Sequence, residues 1–141
     1  MGIEWTEDLS TSIETIDNQH RELFRRVNIL LDACGQGKGR DEVGRVIGFF
    51  EDYVITHFSA EERIMTEAAY PWYDVHKAEH EHFIGKIKDL KKQFLADGAG
   101  LHVVLLTVST AVSWLANHIR KTDKALGEHL RINHSDKGWA A

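Results

Sequence analysis

His57-Phe58-Ser59-Ala60-Glu61 sets an imidazole and a carboxylate four positions apart in an apolar run. On an α-helix that step turns about 40° and rises about 6 Å, so both side chains reach one point in space. Nitrogen and oxygen donors meeting there suit a transition metal of intermediate softness. His76-x-x-x-His80 repeats the geometry with two imidazoles, and His20 closes Asp17-Asn18-Gln19-His20. His118 and Asp123 lie five positions apart in the run that starts at Trp114. A step of five turns through about 140° on an ideal α-helix, so spacing alone does not bring that last pair to one centre. Glu81, His82, His102, His129 and His134 fall off these stripes or at helix ends and read as solvated.

The candidate ligands ride on segments that also carry apolar stripes. Residues 1–15 read as an extended N-terminal arm anchored by Ile3, Trp5, Leu9 and Ile13. A helix is expected from about Ile16 to Cys34, with Asp17 as its N-cap, followed by a flexible loop at Gly35-Gln36-Gly37-Lys38-Gly39. A second is expected over about 40–66, its inner side marked by Val43, Val46, Phe50, Val54, His57 and Glu61. Pro71 should open a third in its first turn, with His76, His80, Phe83, Ile87 and Leu90 in step, ending before Asp97-Gly98. A fourth runs from about Leu101 to near Gly127. Such segments with short glycine-containing connections predict one domain over residues 1–141. Its architecture is all-α, an antiparallel up-down four-helix bundle spanning 16–130 with a loose tail at 131–141. Imidazoles and carboxylates on core-facing stripes are costly unless paired or metal-bound, and one metal site would satisfy them together.

Composition narrows the remaining classes. The 141 residues carry a net charge of −5 and no basic stripe interleaved with aromatics, so nucleic acid is not an expected partner. The acidic start, Met1 to Asp8, lacks the apolar core of a signal peptide. The longest apolar stretch, 103–116, is shorter than the ~20 residues of a membrane span, so none is expected. Cys34 is the single cysteine, which precludes a disulfide within the chain and suits a reducing cytoplasm. It stands far in sequence from the candidate ligands and reads as a spectator.

The ordered set His20, His57-x-x-x-Glu61, His76-x-x-x-His80, His118-x-x-x-x-Asp123 resembles the hemerythrin family, in particular its single-domain bacterial members. Ile3-Glu4-Trp5, Ile16-Asp17-x-Gln19-His20 and Trp114-Leu115-x-x-His118-Ile119 extend the likeness over most of the chain. Ser10-Thr11-Ser12-Ile13 departs from it by lacking a glycine often found there. The resemblance implies two iron ions with an oxo or hydroxo bridge. His76, His80 and His118 would hold one ion and His20 and His57 the other, with Glu61 and Asp123 spanning both. It further implies dioxygen as the ligand at the less-ligated ion, within walls drawn from Phe24, Phe58, Leu115 and Ile119. The function implied is reversible oxygen carriage or storage and delivery to an oxygen-consuming enzyme, by a monomer without catalysis of its own. The alternatives are a di-iron redox enzyme (a peroxidase or nitric oxide reductase) and an oxygen or redox sensor, for which no output domain is recognised in these residues.

Overall fold

The computed structural model describes residues 3–133. Helix α1 spans Glu14–Gly35, α2 Gly39–Ala68 and α3 Tyr73–Asp97. The fourth helix is one continuous run in three parts: α4 at Leu101–Trp114, a π-helical segment at Leu115–Asp123, and α5 at Lys124–Asn133. The result is the expected antiparallel bundle, with no strand among the described residues.

Several boundaries differ from the sequence expectation for identifiable reasons. Helix α1 starts at Glu14 with Ile13, not Asp17, at the N-cap. Asp17 lies inside the first turn, where helical side chains lean back toward the N-terminus. Its carboxylate therefore accepts hydrogen bonds from the Thr11 amide (2.8 Å), the Thr11 hydroxyl (2.9 Å) and the Ser10 hydroxyl (2.6 Å) of the incoming chain. Just there Ser12 adopts φ 63°, a left-handed conformation that glycine would take without strain. The expected flexible loop is a three-residue turn closed by Lys38 N–H to Ala33 O at 2.6 Å, with Gly37 at φ 74°. Helix α2 ends where Ala69 turns left-handed, and the Tyr70 amide bonds back to Met65 O at 3.0 Å. Pro71 belongs to this turn and not to the first turn of α3, whose N-cap is Trp72.

The fourth helix reaches Asn133, past the expected stop near Gly127, so His129 lies within a helix. His129 is half-buried, its ring packing edge-on against Tyr70 at 5.1 Å, in contrast to the solvated position expected for it. Glu81, His82 and His102 are exposed as expected, while His134 and most of the proposed tail lie outside the described residues. The stretch from Leu101 to Ile132 is long and apolar enough to cross a membrane by length and composition alone. Here its apolar side, including Val103, Val104, Ala111 and Trp114, is part of the bundle core.

The core has two apolar clusters. The larger, from Leu23, Val27 and Leu30 through Phe50, Phe58 and Phe83 to Trp114 and Ile119, fills most of the bundle. A smaller one of Ile13, Ile16, Met65, Ala68, Tyr70, Leu126 and Leu130 closes one end. On every helix the buried histidines and carboxylates fall between the two. Residues 3–13 lie against the bundle through Ile3 and Asn28, which exchange two hydrogen bonds of 2.7 Å, and through Arg21, 4.0 Å over the Trp5 ring. A short 3-10 turn at Glu7–Leu9 interrupts this segment.

Candidate metal centre

The layer between the clusters contains His20 from α1, His57 and Glu61 from α2, His76 and His80 from α3, and His118 and Asp123 from the π segment, each at most 3 % exposed. All seven sequence candidates are therefore gathered in one place. Two of them needed the unusual helix. In a π-helix the hydrogen-bonded neighbours are i and i+5, so the five-residue step from His118 to Asp123 brings both side chains to one side. His118 Nε2 lies 2.9 Å from Asp123 Oδ1.

The donors divide into two groups that share both carboxylates. One is Glu61, His76, His80, His118 and Asp123; the other is His20, His57, Glu61 and Asp123. Within each, the candidate ligand atoms lie within 4.8 Å of one another. Each carboxylate divides its oxygens between them. Glu61 Oε1 is 2.9 Å from His80 Nε2 and 3.4 Å from His76 Nε2, while Oε2 is 3.6 Å from His57 Nε2 and 3.7 Å from His20 Nε2. Asp123 Oδ1 approaches His76 and His118 at 2.9 Å, and Oδ2 approaches His20 at 2.9 Å.

The donor set fits metal ions better than it fits itself. His76 Nε2, His118 Nε2, Glu61 Oε2 and both Asp123 oxygens are buried without a hydrogen-bond partner, although neighbours stand 2.9 Å from the histidine and aspartate atoms and 3.6 Å from Glu61 Oε2. Distance without alignment is no hydrogen bond. Such atoms converge on a point between them. Nitrogen and oxygen donors about 2.1 Å from one ion and at right angles to each other lie about 3 Å apart, the spacing seen here. His20 Nε2 and His57 Nε2, 3.1 Å apart, meet the same condition.

A surrounding ring of acceptors orients the imidazoles. His57 Nδ1 donates to Gln19 Oε1 (2.7 Å), His80 Nδ1 to Glu62 Oε2 (2.9 Å) and His118 Nδ1 to Glu79 Oε1 (2.8 Å). Each bond holds the proton on Nδ1 and leaves Nε2 for the centre. Thr122 Oγ1 donates to the same Glu79 oxygen at 2.8 Å. Sequence reasoning assigned no role to Gln19, Glu62 or Glu79. The available signal was adjacency: each stands next to a candidate ligand in the chain, immediately before His20, after Glu61 and before His80.

The electrostatics without metal follow from this crowding. Burial opposes charge on His20 and His76, but the Asp123 and Glu61 carboxylates close beside them prevail and raise both to about 9. For His118, burial is again overcome, first by the Asp123 charge beside it and then by the hydrogen bond to Glu79, reaching about 10. His57 is pushed down to about 4, chiefly by burial. Glu61 and Asp123 resist burial and remain well below the usual carboxylate range because the histidines surround them.

Residues 11–130 match the family model described as the hemerythrin HHE cation binding domain. The chain belongs to the hemerythrin family. That family is known for oxygen binding at a di-iron site. The chain is 36 % identical over 132 residues to a bacteriohemerythrin of Pseudomonas paraeruginosa, covering 94 % of this chain and 84 % of that one. It is 37 % identical over 127 residues to the bacteriohemerythrin of Methylococcus capsulatus, with coverages of 89 % and 95 %. Among solved structures it resembles wild-type hemerythrin, with TM-score 0.77, 36 % identity and coverages of 89 % and 95 %. An animal relative, the myohemerythrin of Sipunculus nudus, is 28 % identical over 119 residues, covering 84 % of this chain and 86 % of that one.

Proposed function

We propose that this hemerythrin holds two iron ions and binds dioxygen reversibly, serving as a carrier or store for an oxygen-consuming enzyme in the cytoplasm. His76, His80 and His118 would hold one ion, His20 and His57 the other, and Glu61 and Asp123 would span both. When bound, the iron pair supplies two reducing equivalents and an open coordination position for a diatomic ligand. The supporting observation is the inequality of the two donor groups, three imidazoles against two, around a shared pair of carboxylates. The smaller group leaves more of its ion for an external ligand.

The chain's own residues favour binding over turnover. Phe24, Leu115 and Ile119 are buried, and Phe58 stacks on the His80 ring at 3.8 Å, so apolar walls surround the donors. Water is kept from the site, and proton delivery, which would assist irreversible oxidation, is slowed. Five imidazoles donate less electron density than the carboxylate-rich sets of oxygen-activating di-iron proteins.

The deciding experiment is an absorption spectrum through one redox cycle of the iron-loaded protein. Reduction without air, admission of oxygen and its removal under inert gas should raise and then abolish a charge-transfer band. Lasting conversion to the diferric form would favour a redox enzyme. His57→Ala should abolish the reversible band and His102→Ala, on the exposed surface, should preserve it. The reverse pattern would overturn the assignment.

A further inference from the structure

His20 is the one candidate ligand on α1. Its Nδ1 is buried without a partner, so no hydrogen bond behind the ring sets its direction. His76 shares that condition but stands one turn from His80 on α3, whose own Nδ1 bonds to Glu62. The 2.9 Å approach of His20 Nε2 to Asp123 Oδ2 therefore depends on how the backbone of α1 is held against the fourth helix. The incoming N-terminal chain holds it. Asp17, one turn before His20, accepts the amide and the hydroxyl of Thr11 at 2.8 and 2.9 Å. The Thr11 backbone also lies on Gly127, one turn after Asp123, so closely that a Cβ at 127 would overlap the Thr11 carbonyl and Cα. Thr11 is 2 % exposed, between Leu9 in the larger apolar cluster and Ile13 in the end cluster, and so crosses at the level of the metal layer. Ser12 keeps its φ of 63° here, a strain that persists only where the surroundings over-determine it. The exposed contacts nearby, Asp8 to Arg120 at 3.4 Å and Lys124 to the Asp8 carbonyl, are screened by water and add little.

We propose that Thr11, Asp17 and Gly127 form a clamp between α1 and the fourth helix and act as positioning residues for the two-histidine group. The clamp presupposes the two-ion centre proposed above and holds His20 and Asp123 at the spacing that a shared ion needs. Glycine serves at 127 because only a residue without a Cβ lets the two backbones approach so closely. The three-histidine group is tied by other means. Glu79 on α3 accepts from both His118 and Thr122 of the π segment and so joins those two elements directly. Opening the clamp lets α1 withdraw His20, while Asp123 stays beside His76 and His118. The effect therefore falls on one ion and spares the other.

The test is titration of the metal-free full chain with cobalt(II) against a competing chelator, followed by visible absorption. Cobalt(II) reports its own ligands in its absorption bands and removes the oxygen chemistry from the readout. The parent chain should take up two equivalents. Gly127→Ala and Asp17→Ala should each keep the tighter equivalent within about twofold of the parent. Each should weaken the other equivalent about tenfold or more and lose its absorption bands. Gly48→Ala and Gly85→Ala, where an added Cβ meets nothing within 4 Å, should leave both equivalents unchanged. Equal weakening of both equivalents, as a general loss of stability would give, would overturn the clamp, as would variants indistinguishable from the two glycine controls. If Gly127→Ala lacks the helical circular dichroism of the parent, Asp17→Ala decides alone. A parent chain that takes up fewer than two equivalents would overturn the two-ion centre and the clamp with it.

Discussion

The two donor groups use the same pair of carboxylates and nearly the same imidazole chemistry, yet they are supported differently. In the group with three histidines, His80 and His118 each donate to a carboxylate, Glu62 and Glu79, while His76 Nδ1 is buried without a partner. In the group with two, His57 donates to the neutral amide of Gln19, and His20 Nδ1 is buried without a partner. An imidazole that donates to a carboxylate is the more basic ligand and is more firmly oriented. The difference teaches that the fold gives carboxylate supports to the group richer in imidazoles and only a neutral amide to the other. Under the proposed function, it is the less supported side that would take the external ligand.

The most damaging test of this comparison removes what the groups share. Asp123→Ala deletes one oxygen from each group, leaves His20 and His76 without their nearest acid and strips His118 Nε2 of the carboxylate beside it. Metal analysis should show both ions lost together. Loss of one ion alone would mean the groups are independent. Next come the supports. Glu79→Gln should weaken metal retention by about 10–100-fold in competition with a chelator, whereas Gln19→Leu should cost less because it removes a neutral acceptor. Equal effects would erase the asymmetry.

Titration gives a subtler contrast. In the metal-free protein His20, His76 and His118 hold their protons at neutral pH, and their contribution to stability is complete below pH 6.5 and declines as the pH climbs through about 9 to 10. Depressed His57 acts oppositely: its contribution is present above pH 6.5 and is lost as the pH falls toward about 4. Thermal melts of metal-free protein should therefore weaken on both flanks. Metal loading at pH 7 should release protons, measurable as a buffer-dependent heat, because the raised histidines must give theirs up. A buffer-independent heat would contradict that charge state.

The smallest effect lies outside the centre and serves as its control. Ser12→Gly should relieve the left-handed strain and raise stability by up to about 1 kcal/mol in a denaturant titration, leaving metal content unchanged.

The bundle was legible because the stripes of α1, α2 and α3 repeat every three or four residues, and burial enforces that period. Four of the seven candidates were legible in the same way, since His57–Glu61 and His76–His80 obey the α-helical step. His118 and Asp123 defied it, and only likeness to a family joined them; a local change of helix type leaves no mark in apolar periodicity. The supports were hidden for another reason. Glu62 and Glu79 look like ordinary solvated acids beside buried residues, and only three-dimensional placement distinguishes them. The Asp17 misreading has a similar source: the residue does bind the chain before the helix, but from inside its first turn.

The widened segment from Leu115 to Asp123 also limits where this centre can be transplanted. The same stretch that aims Asp123 sets the register of Leu126 and Leu130, which close the end cluster. Deleting one residue within it would rotate the carboxylate away and swing both leucines off the lid. A scaffold of four ideal α-helices, given all seven side chains, would still lack a position from which the seventh could reach the others. Grafting this centre means grafting a defect in a helix along with the ligands.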